Sequence, residues 1–169
     1  EAEADLSEWL AITRIPVAVV TQVSRFFNSV SINQDRGAES IAEHFIHTGH
    51  LSFGFVAQEG VDNRKVSSYS KKIASHGLTL AKDNLFWITK GEGERVSGHI
   101  QILDVIIEKL SEPERTCSCL LVYNDIAANY IIDGLKEKGI SVPEDIAIAS
   151  FDNTLLAQTK KITSVAQPV

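Results

Sequence analysis

Short apolar runs of strand length alternate with helical patterns along this 169-residue chain, and the alternation limits the fold more than any other feature. Strands that alternate with helices build mostly parallel sheets whose faces the helices cover. The sequence therefore predicts an α/β fold, with a mostly parallel sheet flanked by helices. The predicted strands are residues 15–20 (IPVAVV), 29–32 (SVSI), 52–57 (SFGFVA), 85–88 (LFWI), 117–123 (CSCLLVY) and 146–151 (IAIASF).

Helices are predicted between these strands wherever apolar residues recur three and four positions apart. The clearest helix covers residues 35–50, where Asp35 can cap the first turn and Gly49 can end the last. Residues 160–169 lack such a pattern and are predicted to be an exit segment. The other predicted helices are one that ends at Gly77, one over 95–110 that buries Val96, Ile100, Leu103 and Ile107, and one over 124–139 that ends at Gly139.

The composition argues against two classes of partner. The formal net charge is −6 and the pI about 5.3, so these residues offer no basic surface to a nucleic-acid backbone. No apolar run approaches the roughly 18 residues of a membrane span, so we expect a soluble protein that does not bind membranes. The chain begins without a methionine or the apolar core of a signal peptide, and we interpret it as a piece of a longer protein.

The two cysteines, Cys117 and Cys119, are predicted to pack in the core. On a strand, residues two apart point to the same face about 6 to 7 Å from each other along the chain, which is poor disulfide geometry. Two thiols also fall short of a zinc ligand set. Free thiols of this kind predict a cytoplasmic protein.

Polar residues follow several of the predicted strands and mark the candidate site. In open α/β sheets, ligands bind beyond the carboxyl ends of the strands. Carboxylates and amides at such positions can hydrogen-bond neighbouring hydroxyl groups, which suits a sugar. The alternatives left open are a helix cap for the Asn-Asp pair and a turn for the Asp-Asn pair. The residues are Asp62, Asn63, Arg64, Lys65, Lys90, Asn124, Asp125, Asp152 and Asn153.

Other possible sites have weaker support. Tyr69 and Trp87 can offer a ring face to a sugar, although core packing is the commoner role of such aromatics. His44 and His47 lie three apart on a helix without further ligands, so no metal site is predicted. The Gly-x-Gly at residues 91–93 lacks the rest of a dinucleotide loop or P-loop. Neither a catalytic set nor a cofactor is predicted.

Three stretches of the sequence, taken in order, resemble a known protein family, and the resemblance covers almost the whole chain. They are GAESIAEHFIHTGHLSFGFVA (37–57), LLVYNDIAANYIIDGLKEKGISVPEDIAIASFDN (120–153) and ITSVAQPV (162–169). This series resembles the lactose-repressor and galactose-repressor (LacI/GalR) family of bacterial transcription factors. The resemblance implies a periplasmic-binding-protein-like, Rossmann-like fold of two subdomains with an effector cleft between them, together with a helix-turn-helix DNA-binding module that these residues lack.

The resemblance also implies a division of the chain. Residues 1–32 are expected to be a remnant of the N-terminal effector subdomain. Residues 33–163 are expected to form the C-terminal effector subdomain, and residues 164–169 the return crossing to the first. Members of the family usually act as homodimers that present paired DNA-reading modules to an operator.

Ligand-binding residues follow from the resemblance one position at a time. Asn124 stands where the family places an asparagine at a strand end, and Asp152 where it places the aspartate that binds sugar hydroxyls. A family arginine four residues before an aromatic corresponds to Lys65, with Tyr69 following. Because lysine lacks the fork of arginine, the neighbouring Arg64 can take its place.

Two further positions depart from the family. Thr21 and Asn33 fall where members carry acids, so the ligand's identity does not transfer with the resemblance. The expected function is to sense a small effector, such as a sugar or sugar derivative, for a cytoplasmic transcriptional regulator, with no catalysis. The alternative is a periplasmic sugar-binding protein of a transporter, which would share the fold.

Overall fold

The computed structural model describes residues 6, 10, 16–20, 24–89 and 97–167, which divide into two units. The first unit lies within residues 1–33 and contains strands β1 (Ala18–Val20) and β2 (Asn28–Val30), paired in parallel. The second unit runs from Gln34 to Gln167. Its elements are α1 (Gln34–His47), β3 (Phe53–Gln58), α2 (Asn63–Ala74), β4 (Leu80–Ile88), α3 (Ser97–Ser111), β5 (Cys119–Val122), α4 (Asp125–Glu137), β6 (Ala147–Asp152), α5 (Leu155–Lys160) and β7 (Thr163–Ala166).

A five-stranded parallel sheet in the order β4-β3-β5-β6-β7 forms the centre of the second unit. Helices α1 and α2 pack on one face around Phe53, Phe55 and Leu121. Helices α3 and α4 pack on the other face around Leu120 and Val122. Both faces are therefore buried, which explains why β5 reads as an uninterrupted apolar run. The predicted α/β class with a mostly parallel sheet is confirmed.

The two cysteines lie on opposite faces of this sheet, which corrects the prediction that they share one. Cys119 packs against α1 and α2, whereas Cys117 precedes β5 and packs among the side chains of α3 and α4. The two-residue period holds only within a regular strand, and β5 begins at Cys119. Both thiols are free and buried, and burial raises the pKa of Cys117 to about 11.

Strand β4 begins at Leu80, five residues before the predicted start at residue 85. The polar residues 82–84 hid this start from the sequence pattern, and the strand pairing is irregular there: Phe53 pairs with Leu80, but Phe55 pairs with Leu85. Asn84 is buried there, and its amide donates to the Thr116 carbonyl at 3.2 Å. A buried amide inside a strand is tolerated because its polar atoms are satisfied.

The chain after β6 also differs from its prediction. It forms the short helix α5 and then β7, which pairs with β6 from Thr163 to Ala166. The predicted exit segment thus supplies an edge strand, and the predicted return crossing at 164–169 begins inside that strand. β6 itself extends one residue further than predicted, so that Asp152 pairs with Ala166.

Smaller differences concern the helices. α1 begins at Gln34, so Asp35 lies inside the first turn instead of capping it, and Gly49 follows the helix with a φ of 88°. Ile100 is 40% exposed, contrary to its predicted burial, and Val96 lies outside the described residues, as do residues 91–93. Within the described ranges, no helix has the length and apolar character needed to cross a membrane.

Candidate functional site

Polar side chains gather at the carboxyl edge of the second unit's sheet. Asp62 follows β3, Asn124 and Asp125 follow β5, and Asp152 ends β6. β3, β5 and β6 are neighbouring parallel strands, so their carboxyl ends meet at one edge. After the larger effect of partial burial, the charges of Asp125, Lys65 and Asp62 all act on the pKa of the Asp152 carboxyl.

Asp125 is the most enclosed of these acids, with no exposed surface. Its Oδ1 accepts hydrogen bonds from the hydroxyls of Ser150 at 2.5 Å and Ser164 at 2.6 Å. Its Oδ2 accepts from the Thr154 backbone N–H and hydroxyl, both at 2.7 Å. Burial alone raises the pKa of Asp125, but these donors outweigh it and hold the pKa below its ordinary value. The carboxylate joins the start of α4 to β6, β7 and the turn between them.

Asp152 is exposed and has an unusual backbone conformation. Its φ is 101° and that of the following Asn153 is 48°, so two consecutive residues lie in a region that side-chain-bearing residues rarely adopt. The Gln167 amide donates a hydrogen bond to the Asp152 carboxylate. Partial desolvation, and then the nearby Asp125 charge, raise the pKa of Asp152. A carboxylate can accept further hydrogen bonds, including bonds from the hydroxyl groups of a ligand.

Lys65 and Asp62 form a buried ion pair beside Asp152. Their side chains are 6% and 2% exposed, and the Lys65 Nζ lies 2.8 Å from Asp62 Oδ1 in a contact without hydrogen-bond alignment. The same Nζ sits 4.4 Å from the centroid of the Phe151 ring, a cation–π contact. Asp62 Oδ2 accepts the Gln58 backbone N–H at 2.8 Å. Lys65 is therefore held by protein groups on two sides.

Asn124 and Arg64 also have protein partners. The Asn124 side chain caps α4 by accepting the Ala127 backbone N–H at 2.8 Å, which is the cap that the sequence left open as an alternative. It remains half-buried, and its side-chain amide N–H groups are donors that the cap does not use. The Arg64 side chain is 78% exposed and pairs with Asp35. Ligand contact by either residue stays a prediction.

The remaining predicted ligand residues lie elsewhere. Tyr69 is fully buried, with its ring edge-on to Phe53 and Phe55, and its hydroxyl has no hydrogen-bond partner among the described residues. This position favours the packing role. Trp87 is half-buried and packs against the same cluster.

Two of the predicted ligand-binding residues, Thr21 and Asn33, belong to the first unit. Asn33 is exposed at the end of the segment that precedes α1. Thr21 lies outside the described residues, as does Lys90.

Sequence reasoning missed four residues that donate hydrogen bonds to Asp125 or Asp152, namely Ser150, Thr154, Ser164 and Gln167. Ser150 alone left a signal, because a serine inside the apolar run IAIASF needs a buried partner. The others looked like ordinary loop or tail residues. Among the described residues, no three His, Cys, Asp or Glu side chains are grouped so as to hold a metal ion. The site can thus offer carboxylate and amide groups to the hydroxyls of an organic ligand.

Comparisons with known proteins bear on the family and the fold. A family model described as a periplasmic binding protein-like domain matches residues 42–169. Catabolite control protein A of Priestia megaterium is 29% identical over 96% of this chain, and the HTH-type transcriptional repressor PurR of Photobacterium profundum is 25% identical over 83%. The chain spans about half the length of such curated relatives, with 49% and 41% of these two covered.

A solved structure with a similar fold is a LacI family transcriptional regulator from Lactobacillus casei with bound glucose. It superimposes with a TM-score of 0.78 at 21% identity, over 97% of this chain and 62% of that one. At this identity the likeness shows the fold.

Proposed function

We propose a function from one premise: the chain belongs to the family of periplasmic binding protein-like domains. The chain is the effector-sensing region of a bacterial DNA-binding transcriptional regulator of the LacI type. A small hydroxylated molecule, a sugar or sugar derivative, binds at the carboxyl edge of the five-stranded sheet. Because the effector favours one conformation of the regulator, operator affinity changes by linkage.

The names of the curated relatives support a regulator over the transporter protein that could share this fold. PurR of Photobacterium profundum is named as an HTH-type transcriptional repressor, and DegA of Bacillus subtilis, 24% identical over 96% of this chain, as an HTH-type transcriptional regulator. A helix-turn-helix module elsewhere in the protein would contact the operator, in the cytoplasm. The effector-sensing region itself performs no catalysis in this proposal.

One observation carries the assignment of the ligand class. Asp152 stands exposed at the end of β6, with its carboxylate held by Gln167 and its backbone held in a rarely adopted conformation. Strain of this kind concentrates at functional sites, where the surrounding structure maintains it. A carboxylate and the neighbouring Asn124 amide match the donor and acceptor pattern of adjacent sugar hydroxyls. The Lys65–Asp62 pair is neutral as a unit, so neutral sugars are favoured over sugar phosphates.

Replacement of Asp152 by asparagine is expected to weaken sugar binding by about 10- to 100-fold, because the charge-assisted hydrogen bonds to hydroxyls are lost. The measurement is calorimetric titration of the full-length protein with the member of a panel, including D-glucose and sucrose, that stabilises it most against heat. Asp145→Asn is the matched control, because Asp145 lies just before the other end of β6. A panel without any stabilising sugar contradicts the proposal, and so does an unchanged affinity in Asp152→Asn.

The regulator is also proposed to act as a homodimer, with a groove on α3, α4 and α5 as the contact surface. The groove has a volume of about 700 Å³. Exposed apolar side chains lie on its helices, with Val105 67%, Ile126 70% and Leu155 77% exposed. Apolar residues so exposed on adjacent helices are typical of a protein interface.

Ile126→Asp is expected to shift the full-length protein from dimer to monomer at micromolar concentration, because a carboxylate would replace an apolar contact at the interface. Sedimentation velocity measures the shift. Leu51→Asp is the control, because Leu51 is 73% exposed and precedes β3, away from the groove. A wild-type monomer, or an Ile126→Asp protein that remains dimeric, would refute this part of the proposal.

A further inference from the structure

The turn after β6 is held by one chain of hydrogen bonds. The Asn153 backbone N–H donates to the Ser164 hydroxyl oxygen at 2.9 Å, and that hydroxyl donates to Asp125 Oδ1 at 2.6 Å. The next residue, Thr154, donates both its backbone N–H and its hydroxyl to Asp125 Oδ2. Both residues after Asp152 are thus bound to the same buried carboxylate, one directly and one through Ser164.

This chain lies where the backbone most needs support. Asp152 has a φ angle of 101°, which is unfavourable for a residue with a Cβ, and Asn153 follows with 48°, in the left-handed region that asparagine tolerates better than most residues. A conformation of this kind persists only when its surroundings determine it. The hydroxyl of Ser164 meets that need because it can accept from one group while it donates to another.

We propose that Ser164 and Asp125 are positioning residues that hold the Asp152–Asn153 backbone so that the Asp152 carboxylate points correctly for the ligand. This inference rests on the proposed function, since it assigns a role to residues behind the same site. Ser164 is the more specific of the two. Its removal takes away the acceptor of the Asn153 N–H, yet it leaves both Thr154 bonds to Asp125 in place.

The chain offers a matched control in Ser150. Its hydroxyl donates to the same Asp125 Oδ1 at 2.5 Å, but it makes no contact with Asn153 or Thr154 among the hydrogen bonds of the described residues. Ser150→Ala and Ser164→Ala each delete one hydroxyl donor to that oxygen. Only Ser164→Ala also releases the turn, so any effect specific to Ser164→Ala reports on positioning and not on the burial of Asp125.

The experiment compares Ser164→Ala, Ser150→Ala and Ser164→Thr in the full-length protein. Amide hydrogen exchange, measured by NMR, is expected to be at least about 10-fold faster at Asn153 in Ser164→Ala only, because the Asn153 N–H loses its hydrogen-bond acceptor. D-Glucose affinity, measured by calorimetry, is expected to fall by about 5- to 10-fold in Ser164→Ala and by less than about 2-fold in Ser150→Ala. Ser164→Thr retains the hydroxyl and is expected to restore both values.

Two results would overturn the inference. One is an Asn153 exchange rate that is the same in Ser164→Ala and Ser150→Ala. The other is equal D-glucose affinity in those two variants, despite binding to the wild type. If D-glucose does not bind the wild type, the wider sugar panel decides the sugar assignment, and the Asn153 exchange rates decide the positioning role by themselves. Failure of the inference and failure of the proposed function are therefore separable.

Discussion

Replacement of Asp125 by asparagine is expected to lower the free energy of unfolding by about 3 to 5 kcal/mol at pH 7. The wild-type carboxylate is fully buried and accepts four hydrogen bonds, two at each oxygen. Asparagine has one acceptor oxygen, so its amide would meet either the Thr154 donors or the serine hydroxyls with no lone pair to offer. Buried donors without partners then carry the full cost of desolvation.

The loss of unfolding free energy in Asp125→Asn should become smaller at low pH. The pKa of Asp125 is lower in the folded protein than its ordinary value near 3.8, so the folded state favours the ionised form. The contribution of Asp125 is therefore present above pH of about 4 and is lost as the pH falls through the folded pKa. The difference in unfolding free energy between wild type and Asp125→Asn should accordingly narrow below pH of about 4.

Urea denaturation at pH 7 and at a series of lower pH values measures both effects. Asp145→Asn is the control, because Asp145 also accepts a backbone N–H, that of Ser141 at 2.8 Å, but its side chain is 44% exposed. The control is expected to lose no more than about 1 kcal/mol. Equal losses in the two variants at pH 7 would refute the role of the buried network.

Replacement of Lys65 by methionine is also expected to lower the free energy of unfolding, by about 3 to 5 kcal/mol. Methionine can occupy the space of the lysine stem, but it leaves the Asp62 carboxylate buried without its cation. The cation–π contact with Phe151 is lost as well. Because Asp62 is buried, removal of the Lys65 cation destabilises the fold far more than the loss of a surface ion pair does.

The adjacent Arg64 supplies the control for this prediction. It also pairs with an acid, Asp35, but its side chain is 78% exposed, so Arg64→Met should cost no more than about 1 kcal/mol. Asp62→Asn combined with Lys65→Met should recover part of the Lys65→Met loss, because no unpaired charge then remains. Urea denaturation of the wild type, Lys65→Met, Asp62→Asn and the double variant measures the cycle, and Arg64→Met is measured beside them. Similar losses in Lys65→Met and Arg64→Met would contradict the buried pair.

The fold was largely predictable because its signals are local. The period of the apolar residues located β3, β5 and β6, together with the helices that cover them, since burial on both faces leaves continuous apolar runs. The predictions were wrong where a polar residue has a distant partner. The predicted β4 was too short because Asn84 looked like a loop residue. Its hydrogen-bond partner, Thr116, lies 32 residues away in the sequence. The strand β7 was missed because its residues are half-exposed at the edge of the sheet.

The candidate site was predictable in position but not in its internal roles. A helix cap was the alternative that the sequence left open for the Asn124–Asp125 pair. The structure makes Asn124 the cap of α4 and gives Asp125 partners 25, 29 and 39 residues away. Lys65 was predicted to be a ligand-binding residue at the carboxyl edge of the sheet. Its pairing with Asp62 could not be predicted, because it depends on the burial of both side chains against β6.

By itself, the sequence determined the α/β class, the order of most elements and the edge of the sheet at which polar residues collect, because periodicity and strand ends are properties of neighbouring residues. Only the tertiary structure decided which acid is buried and which is exposed. Asp125 and Asp152 both follow or end apolar strands, yet one is enclosed by four donors and the other faces solvent beside Gln167. That difference arises because the packing of β5, β6 and β7 brings hydroxyl groups from distant parts of the sequence to one carboxylate. Contacts between residues so far apart cannot be predicted from a local sequence pattern.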